Sequence, residues 1–249
     1  MLTRRRAIHL ALLAGSGTGA LALPTQALAH ANLDAAVPGP GPIDTLPDTI
    51  TLTFTELLDR SSSAMLYDVN GTPVDGAAGS VDPGNRARLL LSAPLVAPGP
   101  YTVGWTSVSA EDGHDLSSFY ALLVGGAPGI AGSPAAAPQP GGPASDLAIT
   151  LAASPDAVGV VQWTATINGP SAGAVQRVSL RFTSPLAALG IFQVVCEIVP
   201  ASGAYGTSLP MALAGDWQIE AIVRRLGVAD DLRVPFVWTA RAPAPLATV

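Results

Sequence analysis

The stretch "YTVGWTSVSAEDGHDLSSFYALLVG", residues 101–125, holds two apolar segments on either side of a charged one. In "YTVGWTSVS", Tyr101, Val103 and Trp105 recur at every second position, the period at which side chains share one face of a strand. "SSFYALLVG" supplies a second strand. Between them Asp112 and His114 flank Gly113 at a loop. Extended backbone points residues i and i+2 the same way, and the glycine lets the chain bend so that both side chains reach one point. Glu111 and Asp115 add negative potential around it. The loop carries one of only three histidines, His9, His30 and His114, in 249 residues.

Outward from this stretch the same style of sequence continues. "TITLTFT" sets Ile50, Leu52 and Phe54 on one face and threonines on the other. "SAMLYDVNGTPV" has a turn signal at Asn70-Gly71, and "RARLLLS" gives a further strand. No amphipathic helix interrupts them. Residues 125–145, "GGAPGIAGSPAAAPQPGGPAS", carry no charge, and eleven of the twenty-one are Gly or Pro. Such a segment buries too little apolar area to offset its ordering entropy and reads as a linker. Beyond it, "DLAITLA", "GVVQWTATI", "AVQRVSLRFTS", "FQVVCEIV", "DWQIEAIVRR" and "RVPFVWTA" are strand candidates, with Trp217, Ile219, Ala221 and Val223 expected inward. The chain is therefore expected to be all-β. Two immunoglobulin-like β-sandwich or Greek-key barrel domains, 30–124 and 146–249, are joined by a Pro/Gly/Ala-rich linker over 125–145. Cys196, the single cysteine, excludes an internal disulfide and reads as a buried, inert thiol.

The first 29 residues have a different character. Arg4 to Arg6 precede a small-residue apolar run and an A-x-A site ending at Ala29, the layout of a secretory signal. Glycines 15, 17 and 19 break the run and argue against a spanning helix. The paired arginines after Thr3 also fit a twin-arginine export signal, so either export route is open. The expected destination is the periplasm, or outside the cell. Past residue 29 there is no lysine, and nine arginines stand against 18 acidic groups, a formal charge of −9. That balance argues against nucleic acid and anionic lipid as partners.

Cleavage after Ala29 would make His30 the first residue. An N-terminal histidine offers a free α-amine as well as an imidazole, and the amine nitrogen and Nδ1 can grip one ion in a six-membered ring. With His114 and a carboxylate oxygen of Asp112, the set becomes three nitrogens and one oxygen. That set suits a square or tetragonal site and favours Cu(II), which also tops the affinity order of the divalent ions. Zinc prefers a tetrahedron and often thiolate, and calcium and magnesium prefer oxygen cages. Copper(I) favours sulfur, and past the signal only Met65 and Met211 remain.

"HANLDAAVPGPG", "ITLTFTELLD" and "YTVGWTSVSAEDGHDLSSFYALLVG" resemble the CopC family of periplasmic copper-binding proteins over residues 30–124. Mature members begin with histidine in an H-A-x-L segment and carry a Y-x-V-x-W strand that leads to a D-G-H element. The resemblance implies a Greek-key β-barrel, with His30, Asp112 and His114 as Cu(II) ligands. Ser117-Ser118 stand where a glycine is often seen in the family. The chain also lacks the methionine-rich Cu(I) segment of some members, which leaves a Cu(II)-only module. The second domain resembles YtkA-like domains, most clearly at "LAGDWQIEAIVRR". It has no histidine, and Asp216, Glu220, Asp230 and Asp231 read as solvated strand and turn residues. With no span expected after the signal, membrane transfer of copper would need a separate CopD-type transporter.

The function expected is a non-enzymatic Cu(II)-binding protein for copper storage, delivery or resistance. Two other classes share features with it. A histidine-brace copper monooxygenase also uses an N-terminal histidine on a β-sandwich, but Asp112 would fill a position that oxygen activation needs open. A metal-free adhesive or scaffolding pair of sandwiches needs no histidines at all.

Overall fold

The computed structural model describes residues 31–125, 139–140 and 146–242. The expected signal peptide (1–29), His30 and nearly all of the expected linker lie outside the described residues. Among the described residues no helix is long and apolar enough to cross a membrane.

The alternation in the first unit becomes eight strands: β1 (Leu33–Val37), β2 (Gly41–Ile43), β3 (Thr49–Phe54), β4 (Ser63–Tyr67), β5 (Pro73–Asp82), β6 (Asn85–Ser92), β7 (Gly99–Val108) and β8 (Asp115–Val124). They form one sheet in the order β1-β3-β6-β5-β4-β7-β8-β2. All its pairings are antiparallel except β2 with β8. The two edge strands, β1 and β2, are consecutive in the chain and separated by three residues. The sheet must therefore curl until its edges meet, which makes a barrel. Ile50, Leu52 and Phe54 point inward as the period-two pattern demands, joined by Leu66, Leu89, Leu91, Val103 and Trp105. At Asn70-Gly71 the turn closes on Asp68, whose Oδ1 accepts from the amides of Asn70 and Thr72 at 2.9 and 2.8 Å.

The second unit contains β9 (Gln139–Pro140), β10 (Ala148–Ser154), β11 (Gly159–Asn168), β12 (Val175–Thr183), β13 (Ile191–Val195), β14 (Glu197–Ile198), β15 (Tyr205–Met211), β16 (Gly215–Arg225) and β17 (Leu232–Ala240). A five-stranded sheet, β14-β15-β11-β10-β9, and a four-stranded sheet, β13-β12-β16-β17, close over a single core. Across that core Trp163 meets Trp238 edge-on at a centroid distance of 4.9 Å and Phe182 at 5.0 Å. Trp217, Ile219, Ala221 and Val223 are all buried, as their spacing requires.

Three details differ from the sequence reading. "FQVVCEIV" is two strands, because the chain leaves one sheet after Val195 and joins the other at Glu197. Cys196 sits at that crossing, 6% exposed, and burial pushes its thiol up to about 11, so the inert reading holds. Strand β15 has no alternation and contains Gly206 and Pro210, and so gives no strand signal. Within the expected linker, Gln139 and Pro140 pair with Leu151 and Thr150 and belong to the second unit's sheet.

The two units also touch. Phe119 of β8 packs edge-on against Phe192 at 5.2 Å and lies 5.7 Å from Trp217. Tyr67 and Val69 pack against the second unit's core as well, and the Ala214 amide donates to the Val69 carbonyl at 2.8 Å. At Gly104 an added Cβ would collide with Leu189, so a glycine there lets the second unit lie directly on β7.

Candidate metal centre

Strands β7 and β8 pair down to Val108 and Asp115, and the chain between them folds into a tight turn. The Ser109 amide donates to the His114 carbonyl at 2.9 Å, and the Gly113 amide donates to the Ser109 carbonyl at 3.0 Å. Gly113 has φ 75° with open space where a Cβ would stand, so backbone conformation, not crowding, calls for glycine. The bend brings the two sequence-named residues together. Asp112 Oδ1 accepts from the His114 amide at 3.0 Å, and Asp112 Oδ2 lies 2.9 Å from His114 Nδ1. The His114 backbone N–H, more than any other contact, holds the Asp112 carboxyl below its ordinary value of 3.8. Both side chains reach solvent, at 50% exposure for His114 and 31% for Asp112.

The 2.9 Å separation can be set against the spacing that one metal ion requires of two ligands. Two ligands at right angles, each with a bond of about 2.0 Å, stand about 2.8 Å apart. Adjacent corners of a square or tetragonal site stand at that spacing, and His114 Nδ1 and Asp112 Oδ2 lie close to it. Among the described residues no group of three His, Cys, Asp or Glu is placed to hold a metal. Asp112 and His114 make a pair, and the third expected ligand, His30, lies outside the described residues.

The turn's surroundings include two features that sequence reasoning did not find. Residues 57–59 run beside 108–110: Leu58 bridges Ser109, the Ala110 amide donates to the Leu57 carbonyl at 2.9 Å, and the Asp59 amide donates to the Val108 carbonyl at 2.8 Å. This brings Glu56 to the turn, where its Oε2 accepts from Ser109 Oγ at 3.1 Å. A distant carboxylate thus supports the loop from 53 residues away, a separation no local motif could signal. The second feature is the start of the described chain. Ala31 is buried, its carbonyl accepting from Ser107 Oγ at 2.8 Å, and Asn32 exchanges hydrogen bonds with Thr55. In the second unit Glu220 pairs with Arg233 at 2.8 Å, Asp231 with Arg224 at 3.3 Å, and Asp216 accepts from Thr239 at 2.5 Å. These are structural surface pairs.

Fold and site together define an all-β protein whose first unit, a curled sheet, presents a carboxylate–imidazole pair on the β7–β8 turn. Residues 33–125 match the family described as the CopC domain, and this part of the chain is a CopC domain. Among solved structures, CopC from Methylosinus trichosporium OB3b is 30% identical over 38% of this chain and 93% of its own, with a TM-score of 0.35. PcoC, a methionine-rich copper resistance protein from Escherichia coli, is 26% identical over 39% of this chain and 99% of its own, also at 0.35. A two-domain fibronectin type III segment of chicken tenascin is 13% identical over 80% of this chain and 95% of its own, at 0.24. Comparison with curated proteins finds no match.

Proposed function

We infer that this is an exported copper-binding protein that carries one Cu(II) per chain in storage, delivery or resistance, without turnover. The observation that carries the reading is the Asp112–His114 pair, 2.9 Å apart on a turn of a CopC domain. His30, freed by removal of residues 1–29, would add its amine and Nδ1, giving the three nitrogens and one oxygen that suit Cu(II). The ion is cargo. It is attracted by a unit in which 11 acidic residues face three arginines over residues 31–125. It is held by the donors of His30, Asp112 and His114, and it is released when protons or a stronger chelator take the ligands. Glu56 and the Ser109 hydroxyl steady the turn from behind. The second unit, which resembles YtkA-like domains by sequence, contributes no ligand in this reading. A periplasmic location and a separate CopD-type membrane partner follow from the same reading.

The test is a titration of exported protein with Cu(II) against a competing chelator, read alongside its electron paramagnetic resonance spectrum and N-terminal mass. One tightly bound ion with a tetragonal nitrogen-rich spectrum, and a chain starting at His30, are expected. A chain that begins elsewhere, or His30→Ala and His114→Ala proteins that bind as tightly as the unaltered one, would sink the site.

A further inference from the structure

We propose that Ser107 is a positioning residue for the N-terminal half of the copper site; the inference rests on the Cu(II) reading above. Ser107 is fully buried and continues the inward face of Val103 and Trp105, where the pattern asks for an apolar side chain. A hydroxyl in such a place costs stability unless it finds a partner. Its partner is the carbonyl of Ala31, 76 residues away in the chain, at 2.8 Å, with the Leu116 carbonyl at 3.3 Å. Ala31 is itself 1% exposed. On its other side, Asn32 donates from its amide to Thr55 Oγ1 at 3.2 Å and accepts from the Thr55 amide at 2.9 Å. Residues 31 and 32 are thus clamped between the end of β3 and β7.

The place of the clamp matters more than its strength. Ser107 stands two residues before Ser109, whose amide closes the turn that carries Asp112 and His114. Two residues of strand span roughly 7 Å. Ala31 is therefore anchored to a strand residue only two positions from the one whose amide pairs with the His114 carbonyl. Chain ends are ordinarily the least ordered part of a domain. A chelate built on the terminal amine would have to immobilise that end at the moment of binding. Anchoring Ala31 in advance removes most of that ordering from the binding step, which is the general route by which preorganisation raises affinity. The Asp112–His114 pair itself is joined by contacts local to the turn, from the Asp112 carboxylate to the His114 amide and Nδ1, and neither involves Ser107.

The experiment is a double-mutant cycle on the full exported chain, with Cu(II) as the probe and a chelator competition as the readout. Partners that orient metal ligands are worth about 10–100-fold in affinity, and Ser107→Ala should cost that much in the unaltered background. In a background where His30→Ala is combined with a methionine retained before residue 30, so that neither a terminal imidazole nor an amine on residue 30 remains to be positioned, the same change should cost no more than about 2-fold. The parallel hyperfine coupling of the copper spectrum should shift in Ser107→Ala and return in Ser107→Thr, which keeps the hydroxyl. Thr55→Val, which loosens the other side of the clamp from the surface, should weaken binding in the same direction and serves where Ser107→Ala does not fold. Equal losses in the two backgrounds, or no loss in the unaltered one, would overturn the positioning role while leaving the copper reading intact. If His30→Ala alone changes nothing, the copper reading fails and the inference falls with it.

Discussion

Replacing Gly190 with alanine puts a methyl group into the seam between the two units. Gly190 has φ 70° and ψ −145°, a region that only glycine occupies at ease. A residue forced there costs about 1–3 kcal/mol. The new Cβ would also stand 2.5 Å from the Ser117 carbonyl oxygen of β8 and 3.1 Å from its carbon, with backbone on both sides, so no rotamer change relieves it. That clash can be escaped by parting the seam, at the expense of the Phe119 contacts with Phe192 and Trp217. Each aromatic contact is worth about 0.5–1.5 kcal/mol beyond the area it buries. With two such contacts, the contributions together come to about 2–6 kcal/mol. For two units that melt together as one body of roughly 190 residues, each kcal/mol lowers Tm by about 2–4 °C, so a fall of at least about 4 °C is expected. Thermal unfolding and amide exchange of the full chain measure it. Exchange should quicken at Ser117–Phe119, while the turn at 109–114 keeps its protection. A variant that melts within about 1 °C of the parent and leaves β8 protected would show that the units do not press on each other there.

Three other outcomes follow from the same geometry. A methionine retained before His30 would turn the α-amine into an amide and should weaken Cu(II) binding by at least about 10-fold, in the range lost with ligand partners, with His114 and Asp112 still binding; chelator competition on the two proteins decides it. A fragment of residues 30–124 should bind one Cu(II) and residues 146–249 none, but the first fragment exposes Tyr67, Val69 and Phe119 and should melt earlier and bind apolar dyes more than the full chain. Asp112 has a pKa below 3.8, so its bonds to His114 support the turn above the ordinary carboxyl range and that support disappears as pH falls through the lowered value. The Asp112 carboxyl carbon should therefore keep its ionised chemical shift down to about pH 4, and a carboxyl titration centred above the ordinary carboxylate value would contradict it.

Much of the fold could be read from the sequence because strand alternation is a local property. Ile50, Leu52 and Phe54, and Trp217 through Val223, declare their buried faces within one strand length. What alternation does not reveal is where a strand goes next. "FQVVCEIV" reads as continuous, yet the chain changes sheets at Cys196, because each half finds a different neighbour, β12 or β15. The seam was illegible for the same reason. Phe119 looks like any core residue of its own strand, and only the second unit's position makes it part of another core.

The site divides along the same line. Asp112 and His114 are two residues apart around a glycine, so their meeting is fixed by local backbone and could be stated before any coordinates. Glu56 and Ser109 meet across 53 residues, and Ser107 and Ala31 across 76, through pairings that only the completed barrel creates. Two of these residues are serines that sequence alone assigns to a strand and a turn without distinction. The legible part of the candidate centre is the side-chain pair on one loop. The part that was not legible is the set of long-range contacts that anchor Ala31 and Asn32. If that division is physical, substitutions within 109–114 should change which ligands the ion finds, whereas substitutions at Ser107 or Thr55 should change the free-energy cost of bringing an unchanged ligand to it. The first kind alters the spectrum in every background; the second alters affinity only while His30 is present to be placed.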